Sequence, residues 1–594
     1  MWYDGGVSNA PPFLNVTQSL TGRRWETRAY DERVAEALRQ RFDIPDLLAR
    51  GMAARGVTLD AAADYLDPTL RALLPNPSVF KDMDKAAARM AAAIQSNESI
   101  TIFGDYDVDG GTSSALLLRF LRVCGVSPGL YIPDRMHEGY GPNAAAMERI
   151  AAAGAKLLVC VDCGTTAHEP LRRAQELGVD VVVLDHHAAE PDLPPVYALV
   201  NANRLDEEIP YRQLCAVGVT FLFIVAVNRA LRAVGFFTET KPEPDLRQWL
   251  DLVALGTVAD VVPLTGLNRA FVAQGLRMLA QTGNAGLAAL MRVGRASMPP
   301  DTFTAGFVLG PRVNAGGRVG RSDLGARLLA CDDPSEAEAL AIQLDAMNAS
   351  RKDIEAEVLA AAEYQALQQD DAALLLIAGE GWHPGVIGIV AARLKERYHR
   401  PTIVVALDGN VGKGSGRSVR GLDLGAMVIA ARQAGLLING GGHAMAAGLT
   451  VARDQVAALR DFLNQRTAQF LAETPLAPTL MLDGLLAGAG ATPEFVAGLD
   501  RLKPFGTGNP EPRFVLPSCR IVRADVVGEK HVRVIIDSAG TRITGITFRA
   551  MENPLGKTFL KTEGRNFHLA GYIRPDNWNG RNSVQLQIED AAVG

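Results

Sequence analysis

The sequence predicts a multidomain α/β protein in which a doubly wound parallel sheet is followed by a long helix, a second α/β unit and a small all-β module. Three observations predict it. Short β-branched runs (TIF, KLLVCVD, DVVVLDHH, YALVNAN) alternate with helical stretches, as in a parallel sheet covered on both faces. From Pro334 to about Gln369 an Ala/Glu-rich stretch has no Gly or Pro after its start, the composition of one continuous helix. After about Leu476 the pattern becomes short strands separated by turn residues, CRIVRADVV, HVRVIID, TRITGITF, NFHLAGYI and SVQLQIE, which is that of a small barrel or sandwich.

The length of 594 residues exceeds a single core, since domains run to about 100–200 residues. RVAEALRQRF, PDLLARGMAARG and DKAAARMAAAIQ carry apolar residues at three-to-four spacing between residues 25 and 98. The expected division is a helical region over 1–80, the first α/β domain over 81–333, the connecting helix over 334–370, an α/β domain containing ALLLIAG and PTIVVAL over 371–475, and the β module over 476–594.

FLFIVAVNRALRAVGFF is broken by Asn228 and two arginines and reads as a buried helix rather than a membrane span. MWYDGGVSNAPPFLN has neither the basic start nor the apolar core of a signal peptide, and the six cysteines show no framework spacing, so a reducing cytoplasm is expected. Cys160 and Cys163 form a CxxC around Asp162 on an apolar run and read as packed thiols. The formal charge is −6, but from Arg501 onward 14 Lys+Arg face 9 Asp+Glu, a net of +5 that leaves −11 for the rest. Such asymmetry marks either a nucleic-acid-binding module or a solvated basic face.

In an open α/β sheet, ligands bind at the carboxyl ends of the strands, so polar residues following each apolar run are expected to meet in one crevice. Asp105, Asp107 and Asp109 follow TIF, Asp162 ends KLLVCVD, Asp185, His186 and His187 end DVVVL, and Asp260 closes DLVALGTVAD. These carboxylates, without an evident basic partner, would repel one another unless a cation neutralised them. A mixed oxygen and imidazole set suits Mn²⁺ or Mg²⁺ better than a thiolate zinc site. Two such ions, ~3.5–4 Å apart, activate a water for in-line displacement at phosphorus. Each element has a plainer reading, a surface Ca²⁺ loop or turn for DxDxDG and a solvated loop for the His pair. The downstream glutamate of a Ca²⁺ loop is missing, and the joint placement at successive run ends favours metal.

GDYDVDG, VDCGT, LDHH and GTVADVVPL resemble the four motifs of the DHH phosphoesterase superfamily. Their order and spacing are similar to its bacterial RecJ branch, the single-strand-specific 5′→3′ DNA exonucleases. The resemblance extends through PDRMHEGYGPN, GPRVNAGGR, GWHPGVIGIVAARL, GSGRSVRG, NGGGHAMAAG and LKPFGTGNPEPRF. It implies a DHH domain, the connecting helix, a DHHA1 domain and an oligonucleotide-binding (OB) barrel. It also implies a cytoplasmic, monomeric enzyme of DNA repair and recombination that works with single-strand-binding protein and a RecQ-type helicase.

By the same resemblance Asp107, Asp109, Asp162, His186 and Asp260 are ligands to two Mn²⁺ or Mg²⁺ ions, supported by Asp185 and His187, with His186 and His187 open to exchange. Family II pyrophosphatases carry a histidine where this chain has Phe103. That leaves Asp105, or an ion arriving with the substrate, to complete the second position. Arg135 and Arg318 resemble residues that hold a 5′ phosphate, a structural ion pair being the alternative.

The Gly-rich run through Gly441, Gly442 and His443 can bring backbone N–H groups and an imidazole to an oxyanion, with Arg417 and Ser418 as further donors; core-packing glycine is the plainer reading. Phe505 and Phe548 are candidate stacking surfaces on the β module. Two other functions fit parts of the chain: a phosphodiesterase acting on short RNA or cyclic dinucleotides, which needs only the central domains, and a non-catalytic replication scaffold, which would have lost the ligands retained here.

Overall fold

The computed structural model describes residues 11–135, 137–474, 478–562, 564–576 and 583–594. The boundary expected at Leu476 and the stretch MWYDGGVSNA lie outside them. The chain forms two compact units, one from residues 55–349 with 501–511, the other from residues up to Ala54 with 350–500 and 512–594.

The first unit is built on a parallel sheet ordered Gly129–Tyr131, Ile100–Gly104, Leu157–Val161, Asp180–Leu184, Ala198–Val200. Its strands are apolar throughout because both faces are covered. Ile100, Ile102, Val159 and Val182 face a core shared with the helices Met83–Gln95, Val108–Val123 and Ala216–Ala233. The alternate positions Phe103, Leu158, Cys160 and Val181 face the helices Ala144–Ala152 and His168–Glu176. After Ile100–Gly104 the chain moves to the edge strand Gly129–Tyr131, which was not expected from the sequence, and then crosses to Leu157–Val161. The strand order therefore reverses at Ile100–Gly104, and ligand crevices open at such switch points.

Ala216–Ala233 is long and apolar enough to cross a membrane by length and composition, yet 72% of it is buried in this unit. Its apolar surface is accounted for by core packing, as expected. The helix expected from Pro334 runs to Leu367. Asp260, expected at a strand end, instead caps the helix Leu250–Ala259. That helix is buried from Leu250 to Thr257 and presents no polar face, so its sequence carries no helical period to distinguish it from a buried strand.

In the second unit a mixed sheet is ordered Asn439–His443, Ala446–Ala452, Val411–Arg417, Thr402–Asp408, Leu375–Glu380, the last two parallel and the other neighbours antiparallel. The strands Phe514–Val527, His531–Ser538, Thr541–Thr547, Ser583–Val593 and Asn566–Asp576 follow one another, and the last pairs back to the first, closing a barrel. Alternation places Val532, Val534 and Ile536 inside it.

Two expected boundaries are corrected by packing. Residues 1–80 do not form one region: Arg24–Thr27 pairs in parallel with Thr479–Leu482, and the fully buried Trp25 donates from Nε1 to Asp590 Oδ2 at 2.9 Å, whereas residues from Arg55 onward pack with the parallel-sheet unit. Residues 501–511, expected in the β module, also belong to the parallel-sheet unit. Phe505 is therefore no part of the barrel surface.

Candidate metal centre

Asp105 leaves the strand Ile100–Gly104 and is 3% exposed. The chain then folds tightly back, and a Cβ at Gly110 would lie 2.5 Å from the Asp105 carbonyl oxygen, so the glycine after the third aspartate is a steric requirement. Asp107 is the N-cap of Val108–Val123; its Oδ1 accepts from the N–H groups of Asp109 and Gly110 at 2.9 and 3.1 Å, as N-caps do. Asp109, 1% exposed, accepts from the first N–H groups of Ala216–Ala233, Ala216 at 2.6 Å and Val217 at 2.9 Å. Asp162 follows Leu157–Val161 with φ of 62°, which aims its side chain into the crevice.

His186 collects these groups. Its Nε2 lies 3.3 Å from Asp162 Oδ1 and 3.8 Å from both Asp109 Oδ2 and Asp260 Oδ2. His187 is engaged differently: Nδ1 is 2.7 Å from Asp185 Oδ1, and the ring lies against Tyr140, whose hydroxyl also donates to the Asp162 carbonyl at 3.1 Å. Asp185 is satisfied on its other oxygen by the N–H and hydroxyl of Thr165. Three sets of side chains, Asp162–His186–His187, Asp109–His186–Asp260 and Asp105–Asp107–Asp162, each bring one ligand atom per residue within 4.8 Å of the others. Asp162 and His186 are shared between sets, the geometry of adjacent cation positions.

The electrostatics point the same way. Asp105 Oδ1, Asp162 Oδ1 and Asp260 Oδ2 are buried without a hydrogen-bond partner, an expensive state for a carboxylate. Burial first, and then the neighbouring aspartates, push the carboxyl of Asp109 up to about 7 and that of Asp260 up to about 9, and raise Asp105 and Asp162 well above the usual range. A divalent cation would relieve both the desolvation and the mutual repulsion, and a donor set of carboxylates with imidazole nitrogen fits Mn²⁺ or Mg²⁺. Among the described residues no thiol belongs to these sets. Cys160 and Cys163 face the opposite core layer, and burial holds the Cys163 thiol protonated. Phe103 is likewise buried in that layer, stacked on Tyr131 at 5.4 Å.

Arg135 lies 5.1 Å over the Tyr106 ring, and both Arg135 and Arg318 lower the pKa of that phenol against burial and the Asp105 charge, which push it up to about 12. Both arginines thus bring charge beside the aspartate loop. Arg417, Ser418, Gly441, Gly442 and His443 lie in the other unit. There Arg417 and His443 each pair with Ala446, which puts their side chains on one sheet face about 10 Å apart. Ser418 is 1% exposed and its hydroxyl donates to the Leu422 carbonyl at 2.7 Å, so its expected role as a phosphate donor is corrected to a turn-holding one.

Four site residues were not anticipated: Tyr140, Thr165, Asn201, which donates to Thr165 Oγ1 and the His187 carbonyl at 2.9 and 2.8 Å, and Asn203, which donates to the His186 carbonyl at 2.5 Å. The signal for the asparagines was available, since they end the run YALVNAN as the other site residues end theirs.

Three family models match in chain order: the DHH family N-terminal domain over residues 99–257, the DHHA1 domain over 370–469 and the RecJ OB domain over 482–590. The single-stranded-DNA-specific exonuclease RecJ of Bacillus subtilis is 34% identical over 576 residues, 96% of this chain and 71% of that protein. The protein of the same name from Dickeya dadantii is 37% identical over 562 residues, 92% and 96% of the two chains. The crystal structure of RecJ from Thermus thermophilus in complex with Mn²⁺ matches with a TM-score of 0.79 at 29% identity, covering 96% of this chain and 79% of that one. Its Mg²⁺ complex matches with a TM-score of 0.75 at 28% identity over 96% and 78%. The strand-end carboxylates therefore sit in a chain whose likeness to these proteins runs almost from end to end, and this protein belongs to the RecJ family.

Proposed function

We propose that this protein is a metal-dependent exonuclease that hydrolyses single-stranded DNA from its 5′ end. The observation that carries the reading is the set of buried carboxylate oxygens without hydrogen bonds around His186 Nε2 at the sheet's switch point. Two Mn²⁺ or Mg²⁺ ions bound there would supply an activated water and neutralise charge at the scissile phosphate.

The chain's own residues do the rest. Asp107, Asp109, Asp162, His186 and Asp260 would hold the ions, with Asp105 as a further carboxylate beside Asp107 and Asp162. The amides of Ala216 and Val217 fix Asp109. Asp185 orients His187 through the imidazole Nδ1. Arg135 and Arg318 receive the terminal 5′ phosphate, which sets the polarity, while Arg417 and His443 offer donors to the phosphate chain. The barrel, matched by the RecJ OB domain, supports a polymeric substrate over a dinucleotide and gives single strands a binding surface.

The relatives' names support single-stranded DNA as substrate. A place in repair and recombination, a cytoplasmic monomer and partnership with single-strand-binding protein and a RecQ-type helicase complete the proposal; the six buried free cysteines agree with a reducing compartment. Time-resolved digestion of 5′- and 3′-labelled single- and double-stranded oligonucleotides, with and without Mn²⁺, tests it. Metal-dependent loss of nucleotides from the 5′ end of the single strand alone is expected. Digestion from the 3′ end, or activity without metal, would overturn it.

A further inference from the structure

The segment Arg501–Glu511 follows the helix Pro493–Asp500 and leads into the barrel strand Phe514–Val527, both in the second unit, yet it packs into the unit that carries the metal centre. Asn509, 1% exposed, closes it into a loop: its Oδ1 accepts from the Tyr65 hydroxyl at 2.8 Å and its Nδ2 donates to the carbonyls of Leu502 and Pro504 at 2.9 and 2.7 Å. The buried Arg269 stacks on Tyr65 at 3.9 Å and donates to the Lys503 carbonyl at 2.6 Å.

The far edge of this loop rests on the residues that follow Asp260. The Leu264 N–H donates to the Thr507 carbonyl at 2.7 Å. A Cβ on Gly506 would lie 2.7 Å from Leu264 Cδ1 and one on Gly508 3.0 Å from Pro263 Cβ, so a side chain at 506 would have to displace that of Leu264, and Gly508 holds a left-handed φ of 73°. On its other side the Thr302 hydroxyl donates to the Phe505 carbonyl at 2.8 Å. Between Asp260 and this anchored stretch stands Val261, 66% exposed with φ of 62°. A β-branched residue keeps that left-handed conformation only where its surroundings enforce it, and its own side chain buries too little to do so.

We propose that Arg501–Glu511 is a strap that positions Asp260 for metal binding, with Thr302, Gly506, Asn509 and the backbone amide of Leu264 as positioning groups acting through the turn Val261–Thr265. The inference deepens the metal reading of the site and rests on it. Groups that orient a metal ligand from behind typically change affinity by about 10–100-fold when removed, and the strap does this for a ligand at the end of a helix, where no sheet holds it. It also follows that removing the barrel from residue 476 onward would remove part of the support of the metal centre.

The test is Mn²⁺ titration of the full-length protein by electron paramagnetic resonance, with oligonucleotide kinetics alongside. Gly506→Val, Asn509→Ala and the milder Thr302→Val are each expected to weaken Mn²⁺ binding, by about 10–100-fold for the first two, and to lower kcat while KM for the oligonucleotide stays unchanged. Leu264→Ala added to Gly506→Val makes room for the new side chain and is expected to restore binding. Leu290→Ala, in the core helix Ala285–Val293, should lower thermal stability and leave Mn²⁺ affinity unchanged. Unaltered Mn²⁺ binding in every strap variant that folds by circular dichroism, or an equal loss in Leu290→Ala, overturns the inference. A wild-type chain that binds no Mn²⁺ overturns the metal reading as well, so the two failures are distinguishable.

Discussion

His187 Nδ1 lies 2.7 Å from Asp185 Oδ1, and this contact sets the charge of both groups. Burial favours the neutral imidazole, but the Asp185 hydrogen bond and charge outweigh it and push the His187 pKa up to about 9. Burial also disfavours the Asp185 carboxylate, yet His187 and Thr165 hold it well below the usual range. The two shifts are one interaction seen from either partner. Its stabilisation is full between the ordinary carboxylate and imidazole values; it is lost as pH falls through the Asp185 value or rises through about 9. Asp185→Asn should return His187 to the ordinary imidazole range or below. The cost should be about 1.5–3 kcal/mol, because both oxygens of the buried Asp185 accept from N–H groups and the new amide would turn an N–H toward one set of these donors. Histidine ring NMR titration of the metal-free protein checks this, and a ring still titrating near 9 would exclude Asp185 as the cause.

Metal affinity should rise with pH. Asp109 and Asp260, pushed up to about 7 and about 9 by burial and neighbouring aspartates, must give up protons to bind a cation. Without metal the folded state holds protons that the unfolded state has released, so stability falls as pH rises from about 4 towards 9. Added Mn²⁺ should therefore raise Tm more at pH 8 than at pH 6, and calorimetry in buffers of different ionisation enthalpy should detect proton release. Equal Tm gains at both pH values would contradict the shifts.

Asp109 and Asp162 should respond differently to substitution. Asp162→Asn, which tolerates the left-handed backbone, keeps neutral a group whose ionised form burial and the neighbouring aspartates already disfavour, and should leave metal-free stability unchanged or higher. Asp109→Ala strips acceptors from the N–H groups of Ala216 and Val217 and should cost about 1–3 kcal/mol. Both should abolish turnover. Chemical denaturation beside an activity assay separates them, and a fully stable Asp109→Ala would show that those amides find other partners.

Arg135→Ala and Arg318→Ala should each weaken use of 5′-phosphorylated ends more than 5′-hydroxyl ends, since a charge-assisted contact is worth about 1.5–3 kcal/mol. Single-turnover rates on matched oligonucleotides measure the difference. Equal losses on both would assign the arginines to structure.

On the barrel, Arg533 and Arg542 are exposed on the adjacent strands His531–Ser538 and Thr541–Thr547. If single strands lie across this face, replacing each by Ala should reduce the slope of log K against log salt by about 0.7, without change in Mn²⁺ binding. Fluorescence anisotropy over a salt series is the readout, and an unchanged slope for both would move the strand off these strands. Phe548, 51% exposed and edge-on to His531 at 5.3 Å, is the remaining candidate stacking ring there.

The sequence by itself determined the inner strands of the doubly wound sheet, the long helix from Pro334 and the aspartates and histidines that end successive runs, because each is written in local period and run length. It also carried the family, through motifs whose spacing the sheet preserves. What the tertiary structure alone decided is which segments share a unit and how side chains are spent. Arg24–Thr27 pairs with Thr479–Leu482, residues 501–511 pack with the parallel-sheet unit rather than the barrel, Asp260 ends a helix buried from Leu250 to Thr257, and Ser418 turns its hydroxyl inward. In each case the deciding contact lies far along the chain or on a hidden face, and local periodicity reports only that a face is buried, not what covers it.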